Sequence, residues 1–227
     1  MSYAARMELL YTAHVPAGDG PFSTIIALHG WGASAHDLLG LAPIFDGGRS
    51  LVLCPQGPLA LQAGPGQVGY GWFPLTGGGD ANPEEVEAGI DKLDTFLDEA
   101  LKALPIDRRK IAILGFSQGG VMAYALALRN PAKYAGLVAL SSWLPDDMVA
   151  AIPKNSEIEN LQTLVIHGTQ DPMISIDLAR ESRDGLAKLG VPTTYREYEM
   201  GHEINPEALR EIGGWLDGKV LNPVLVA

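Results

Sequence analysis

Residues 110–120 read KIAILGFSQGG, a short apolar run that passes directly into a serine bracketed by glycines. The first five residues are mostly aliphatic and stop at a glycine, as strands buried on both faces of a sheet do. Residues 117–129 continue as an apolar segment that Asn130-Pro131 ends, which predicts a helix. This stretch therefore predicts a buried strand, a sharp turn at Ser117 and a helix.

The same alternation of strands and helices extends over the rest of the chain. Apolar runs that end at small or turn residues predict further strands, and capping residues with amphipathic segments predict further helices. The strands are expected at 23–28, 50–54, 136–140, 163–166 and 193–198, and the helices at 83–104, 176–189 and 206–217. This order predicts one α/β domain over 1–227, with a mostly parallel central sheet and helices on both faces.

Composition excludes several classes of protein. The 227 residues carry 16 Lys and Arg against 27 Asp and Glu, a net charge of −11, which argues against nucleic acid and anionic membranes as partners. The single cysteine, Cys54, cannot form an internal disulfide, and neither a signal peptide nor a spanning segment is visible. We therefore expect a cytoplasmic protein with no stable membrane insertion.

The motif Gly115-Phe116-Ser117-Gln118-Gly119 matches G-x-S-x-G at a strand-to-helix turn, where a nucleophilic serine is exposed above a sheet. An ordinary capping serine in a glycine-rich turn is the alternative. In this motif's fold the partners follow in the order Ser, Asp, His, and Asp171 and His202 each follow a predicted strand. We predict Ser117 as nucleophile, His202 as base and Asp171 as the group that orients it, with His167 as a structural histidine.

Acyl transfer also requires two N–H donors for the oxyanion. The backbone of Gln118, directly after the serine, is one candidate. The backbone of Trp31, in the glycine-rich loop at 29–34 after the first predicted strand, is the other. The glycine-rich stretch at 60–80 is predicted to be irregular, and a loop of that length is usually functional or mobile.

These motifs together resemble a known family. The chain contains in order HGWG at 29–32, CPQGP at 54–58, GWF at 71–73, GFSQGG at 115–120, HGTQDP at 167–172 and MGHE at 200–203. It resembles the phospholipase/carboxylesterase family of α/β-hydrolases over roughly residues 8 to 217. The resemblance implies the α/β-hydrolase fold with no large cap domain, the same triad, and the same oxyanion donors, Trp31 and Gln118.

The resemblance also places Trp72 and Phe73 beside the acyl pocket, and Met173, in the turn after Asp171, is a third candidate for that pocket. Two departures from the family pattern are visible. A leucine is usual where Trp31 stands, which predicts a narrower or more aromatic pocket, and a proline is common where Ser175 stands.

The expected function is that of a serine carboxylesterase acting on short- to medium-chain carboxylic esters, without a cofactor or metal. A lysophospholipase and an acyl-protein thioesterase remain alternatives, as does a non-catalytic ligand-binding protein on the same scaffold. The expected partner is a small-molecule ester, and the apolar segment at 219–227 is compatible with a homodimer. The G-x-G-x-x-G match at 64–69 does not open a helix and is set aside as a dinucleotide site.

Overall fold

Seven strands form the central sheet of this protein in the order β1-β3-β2-β6-β7-β8-β9. The structure, a computed structural model, describes residues 7–75, 82–153 and 155–222. Only β1 runs antiparallel to its neighbour, and the other six strands are mutually parallel. The sheet strands are β1 Tyr11–His14, β2 Phe22–Leu28, β3 Leu51–Pro55, β6 Ile106–Phe116, β7 Gly136–Leu140, β8 Gln162–Gly168 and β9 Thr193–Tyr198.

All six strands predicted from the sequence are present, which confirms the mostly parallel sheet. The strand β1 was not predicted, because half-exposed residues at a sheet edge give little hydrophobic signal. Alternate residues of the inner strands enter opposite cores. Ile26 and Ile113 pack on one face, whereas Ile25 and Ala112 pack on the other. Both faces are therefore covered, as the continuous apolar runs indicate.

Helices cover the two faces unequally. The helices α1, α2 and α4 pack on the first face, while α5 and a segment of 3-10 turns over Leu39–Gly48 pack on the second. The helix bounds are α1 Pro83–Ala103, α2 Gln118–Arg129, α3 Asp146–Ala151, α4 Ile176–Leu189 and α5 Pro206–Leu216. The predicted caps are present: the Asn82 side chain accepts from Glu84 N at 3.0 Å, and Gly190 ends α4 with φ of 79°. The six-residue α3 was not predicted.

The prediction of irregular structure over 60–80 is wrong for its first half. Two antiparallel strands, β4 Leu59–Gly64 and β5 Gln67–Gly71, form a hairpin there, with Gly66 at φ of 74° in the turn. Most of its side chains are exposed, so it lacks the apolar alternation that identifies a strand. Residues 76–80 of the stretch lie outside the described part, as do 223–227 of the apolar C-terminal segment.

Apart from the β4–β5 hairpin, the described segments that connect the sheet strands are helices, 3-10 turns and loops, and they contain no cap domain. Within those ranges no helix combines the length and the hydropathy that a membrane-spanning segment requires. The carboxyl ends of the parallel strands are therefore left accessible at one edge of the sheet, where ligands bind in such folds.

Candidate active site

Ser117 lies in a strained turn between β6 and α2. Its φ of 54° and ψ of −121° fall outside the regions that residues with a side chain normally adopt. The turn is fixed by a hydrogen bond from Ser117 N to Leu140 O at 2.9 Å. Gly119 allows α2 to start this close to the end of β2, because a Cβ at position 119 would lie 2.6 Å from the carbonyl oxygen of His29. The tight packing of α2 on the end of β2 thus raises Ser117 above the sheet edge.

The structure brings Ser117, His202 and Asp171 together in one hydrogen-bonded chain. His202 Nε2 lies 3.0 Å from Ser117 Oγ, and His202 Nδ1 lies 2.8 Å from Asp171 Oδ2. Asp171 follows β8 and His202 follows β9, so adjacent parallel strands deliver both groups to the same edge as Ser117. The ring of Phe116 lies against the imidazole of His202, with 4.9 Å between ring centroids.

The Asp171 carboxylate is buried but well supplied with donors. Its Oδ1 accepts from the backbone N–H groups of Met173 at 2.8 Å and Ile174 at 2.9 Å, and its Oδ2 accepts from His202. Desolvation alone would raise the pKa of Asp171, but the hydrogen bonds from Ile174, His202 and Met173 outweigh it, so the pKa is lowered. Asp171 is therefore ionised near neutral pH and makes the Nδ1–H tautomer of His202 the favoured one.

The two segments that carry the predicted oxyanion donors, Gln118 and Trp31, lie next to Ser117. Gln118 is the first residue of α2, so its N–H has no carbonyl one turn earlier to pair with. The loop that carries Trp31 passes close to the serine, because a Cβ at Gly30 would lie 3.3 Å from Ser117 Cβ. Hydrogen bonds from Gly32 N to Tyr70 O at 2.8 Å and from Ala33 N to Gly30 O at 3.3 Å hold this loop.

A buried network behind this loop was not predicted from the sequence. His29 Nε2 accepts from Gly57 N at 3.0 Å, and its Nδ1 donates to Gly30 O at 2.7 Å. The indole N–H of Trp72 donates to His29 O at 2.8 Å. Desolvation lowers the pKa of His29, which matches its use of one nitrogen as an acceptor. The sequence contains HG at 29–30 and GWF at 71–73, but the presence of both motifs does not indicate that His29 and Trp72 are in contact.

The side chain of Gln118 joins the network to the serine turn. Its Oε1 accepts from Trp72 N at 2.8 Å, and its Nε2 donates to Phe73 O at 2.7 Å. Both backbone groups are buried, and Gln118 itself is 1% exposed. Gln118 therefore fixes the segment after β5 against the first turn of α2, in addition to presenting its own N–H.

A cavity of about 690 Å³ opens over Ser117 and His202. Trp31 and Met173 line it, and they are 39% and 71% exposed at its rim. Several apolar lining residues were not predicted from the sequence. They come from four separate parts of the chain: Leu75, Phe116, Trp143, Ile174 and Leu178. No periodicity links these positions, so only their convergence in space identifies them.

Trp72 and Phe73 do not line the cavity over Ser117, which corrects the pocket predicted from the resemblance. Each is 1% exposed and packs into the core on the α1 and α2 side of the sheet. The physical reason is the hydrogen bonding of Gln118 to both backbones, which turns their side chains inward. Phe73 instead lines a neighbouring cavity of about 490 Å³, and Trp143 borders both cavities.

The described residues contain no cluster of three or more His, Cys, Asp or Glu side chains placed to hold a metal ion. Cys54 is buried, and desolvation raises the pKa of its thiol to about 12, so it stays protonated. Among the described residues, Ser117 is therefore a candidate nucleophile that has both a base and an accessible cavity beside it.

Known proteins similar to this chain identify its family. The model of a family described as Phospholipase/Carboxylesterase matches residues 12–218. An acyl-protein thioesterase 1 from Neurospora crassa is 30% identical over 232 residues, covering 95% of this chain and 92% of the relative.

Among solved structures, the carboxylesterase of Bacillus cereus superposes with a TM-score of 0.81 at 22% identity, covering 95% of this chain and 96% of that one. The esterase PE8 gives a TM-score of 0.80 at 25% identity, over 93% and 99% of the two chains. The chain therefore belongs to the phospholipase/carboxylesterase family of α/β-hydrolases and is an ester hydrolase.

Proposed function

We propose that this protein is a serine carboxylesterase that cleaves short- to medium-chain carboxylic esters through an acyl-enzyme on Ser117. The observation that carries the proposal is the continuous hydrogen-bonded chain from Asp171 through His202 to Ser117 Oγ, at the floor of an open cavity. A serine hydroxyl is a weak nucleophile unless a base removes its proton, and His202 is within reach to do so.

In the proposed acylation step, Ser117 Oγ attacks the ester carbonyl while His202 Nε2 takes its proton. The imidazolium that forms is stabilised by the ionised Asp171, whose carboxylate is held by two backbone N–H groups. The tetrahedral intermediate then collapses, the C–O bond of the ester breaks, and His202 donates its proton to the departing alkoxide. The acyl group remains on Ser117.

The oxyanion of the tetrahedral intermediate is proposed to accept hydrogen bonds from the backbone N–H groups of Trp31 and Gln118. One such donor contributes roughly 3–4 kcal/mol of transition-state stabilisation. Deacylation repeats the sequence with water as nucleophile: His202 takes a proton from water, and the carboxylic acid leaves as Ser117 is protonated again. These steps use side chains and backbone groups of this chain alone, so we propose that no cofactor or metal is required.

The cavity supports an apolar acyl group in the substrate. Its volume of about 690 Å³ is in the range of small-molecule sites, and most of its lining side chains are apolar. The exposed side chains of Trp31 and Met173 extend the apolar surface to the rim. The acyl chain length of the ester that is hydrolysed fastest will show how much of this cavity the acyl group fills.

Thioester hydrolysis is the second candidate, because several relatives are named acyl-protein thioesterases. The same tetrahedral intermediate forms from an O-ester and a thioester, so the site chemistry serves both. Matched octanoyl substrates that differ only in oxygen or sulfur separate the candidates: a carboxylesterase retains high kcat/KM on the O-ester, whereas a dedicated thioesterase does not.

The first experiment is hydrolysis of p-nitrophenyl esters with two to sixteen carbons, with a fluorophosphonate label as an active-site titrant. We expect the native protein to turn over and label, and Ser117→Ala to do neither. Ser156→Ala, at an exposed site on a separate 3-10 turn, is the matched control and should behave as the native protein does. A native protein that neither labels nor hydrolyses any ester would favour a non-catalytic binding protein.

A further inference from the structure

A second histidine lies directly under the triad. His167, in β8, is fully buried, and its Nε2 lies 2.9 Å from Ile174 O and 3.5 Å from Asp171 Oδ2. That carboxylate oxygen is the one that His202 Nδ1 contacts at 2.8 Å. The imidazoles of His167 and His202 therefore approach the same oxygen of Asp171, one from the core and one from the cavity.

The contacts of His167 define its protonation state. A carbonyl and a carboxylate oxygen can only accept hydrogen bonds, so the proton must reside on Nε2. Its Nδ1 is buried and has no hydrogen-bond partner among the described residues. A second proton on Nδ1 would be an unpaired buried donor, which is costly, so the neutral Nε2–H tautomer is the one that fits.

The loop that His167 holds is the loop that supplies donors to Asp171. Ile174 accepts from His167 through its carbonyl and donates its own N–H to Asp171 Oδ1 at 2.9 Å. Met173 N donates to the same oxygen at 2.8 Å. His167 thus fixes the segment that orients Oδ1, while the positive end of its N–H dipole lies close to Oδ2.

We propose that His167, as the neutral Nε2–H tautomer, is a positioning residue that holds the Asp171 carboxylate in the orientation His202 requires. It acts through Ile174 and does not touch substrate. The proposal rests on the proposed function only for its kinetic consequence, because the tautomer and the hydrogen bond exist in the resting protein.

The charged groups around His167 leave Asp171 as its main electrostatic neighbour. On β9, Glu197 is paired in register with His167, but its carboxylate is bound by Arg180 of α4 at 2.9 and 3.0 Å and by the Tyr195 hydroxyl at 3.0 Å. Asp177, also on α4, is within 3.4 Å of Arg180. Beyond Asp171, the loop after β9 contributes His202 and the exposed Glu199 and Glu203.

Two isosteric variants test the proposal. The side-chain amide of His167→Gln places an N–H near the position of Nε2, whereas that of His167→Asn places it near Nδ1. We expect His167→Asn to lower the acylation rate by about 10- to 100-fold, the cost of a misplaced catalytic group, with KM nearly unchanged. His167→Gln should restore most of the rate.

The pH profile of kcat/KM adds a readout that a packing defect would not change. In His167→Asn a poorly oriented Asp171 stabilises the His202 imidazolium less, so the acidic limb should move to lower pH. In His167→Gln it should remain where the native limb lies. A folded His167→Asn with native acylation rate and native pH profile would show that His167 only fills space, and the proposal would be wrong.

A measurement on the unmodified protein decides the point without any variant. Long-range ¹H–¹⁵N correlation of the histidine rings should show His167 as the Nε2–H tautomer, because both oxygens that Nε2 contacts are acceptors. A Nδ1–H or doubly protonated His167 would overturn the proposal, even if both variants failed to fold. Because this spectrum needs no substrate, its outcome is independent of whether the protein hydrolyses esters.

Discussion

Replacing Ser117 by glycine should make the protein more stable than replacing it by alanine. Both variants lack the hydroxyl, so both lose the hydrogen bond to His202, and the comparison isolates the backbone. Ser117 has φ of 54° and ψ of −121°, a conformation that glycine adopts readily and that a Cβ disfavours. Ser117→Ala keeps the strain of the native turn, and Ser117→Gly releases it.

The magnitude follows from two opposing effects. A residue held in such a region costs about 1–3 kcal/mol, which glycine recovers. Glycine also gives the unfolded chain more freedom than alanine, which costs about 0.4–1 kcal/mol. The glycine variant should therefore exceed the alanine variant by about 1 kcal/mol in free energy of unfolding, or about 2–4 °C in Tm for a chain of this size.

The assay is urea unfolding of both variants, followed by circular dichroism, with scanning calorimetry as a second measure. Ala88→Gly, at an exposed position within α1, is the matched control and should be less stable than native by about 0.5–1 kcal/mol. The sign of the alanine-to-glycine change should thus reverse between the two positions. If Ser117→Gly is less stable than Ser117→Ala, the native turn stores no strain and the reasoning is refuted.

Three further predictions concern the site and its surroundings. Gly71→Ala should lower kcat about 10- to 100-fold, because its Cβ would lie 2.6 Å from Cε3 of Trp31 and displace the loop that carries the proposed oxyanion donor. Gly64→Ala in the same hairpin, whose Cβ would approach a glutamine side-chain oxygen at 3.4 Å, should keep native kcat, and equal kcat for both variants would contradict this reading. Gln118→Met should lower the free energy of unfolding by about 2–6 kcal/mol in urea titrations, since it leaves one buried N–H and one buried carbonyl unpaired; a loss under about 1 kcal/mol would argue against the network. The pKa of Asp171 is lowered on folding, so its ionised form adds stability that is present above about pH 4 and is lost as the pH falls through the folded pKa. Asp171→Asn should therefore flatten the acid limb of Tm plotted against pH. If the native and variant limbs run parallel, Asp171 makes no such contribution to stability.

The sequence was most informative where structure is locally encoded. The run at 110–120 predicted the strand, the turn and the helix, and the caps Asn82 and Gly190 were recognised because each acts on residues within one turn of itself. Ser117, Asp171 and His202 each follow a predicted strand directly, which placed all three at one sheet edge, since parallel strands share their carboxyl ends. Backbone periodicity and turn chemistry sufficed for these predictions.

The hairpin of β4 and β5 shows where local patterns fail. The strands β4 and β5 have few buried residues. They pair with each other, and an isolated bridge joins Tyr70 of β5 to Ala33. Neither contact leaves a hydrophobic pattern in the sequence. The same applies to β1, whose four residues pair with β3 at the sheet edge.

By itself, the sequence determined the fold class, the strained serine turn and the order of the three groups at the site. Only the tertiary structure decided which side chains face the cavity. Trp72 and Phe73 stand next to the predicted pocket along the chain, yet they turn into the core, while Trp143 and Leu178 enter the cavity from distant elements. The direction of a side chain depends on the partners that satisfy its backbone and fill the space around it, and those partners are brought together only when the chain is folded.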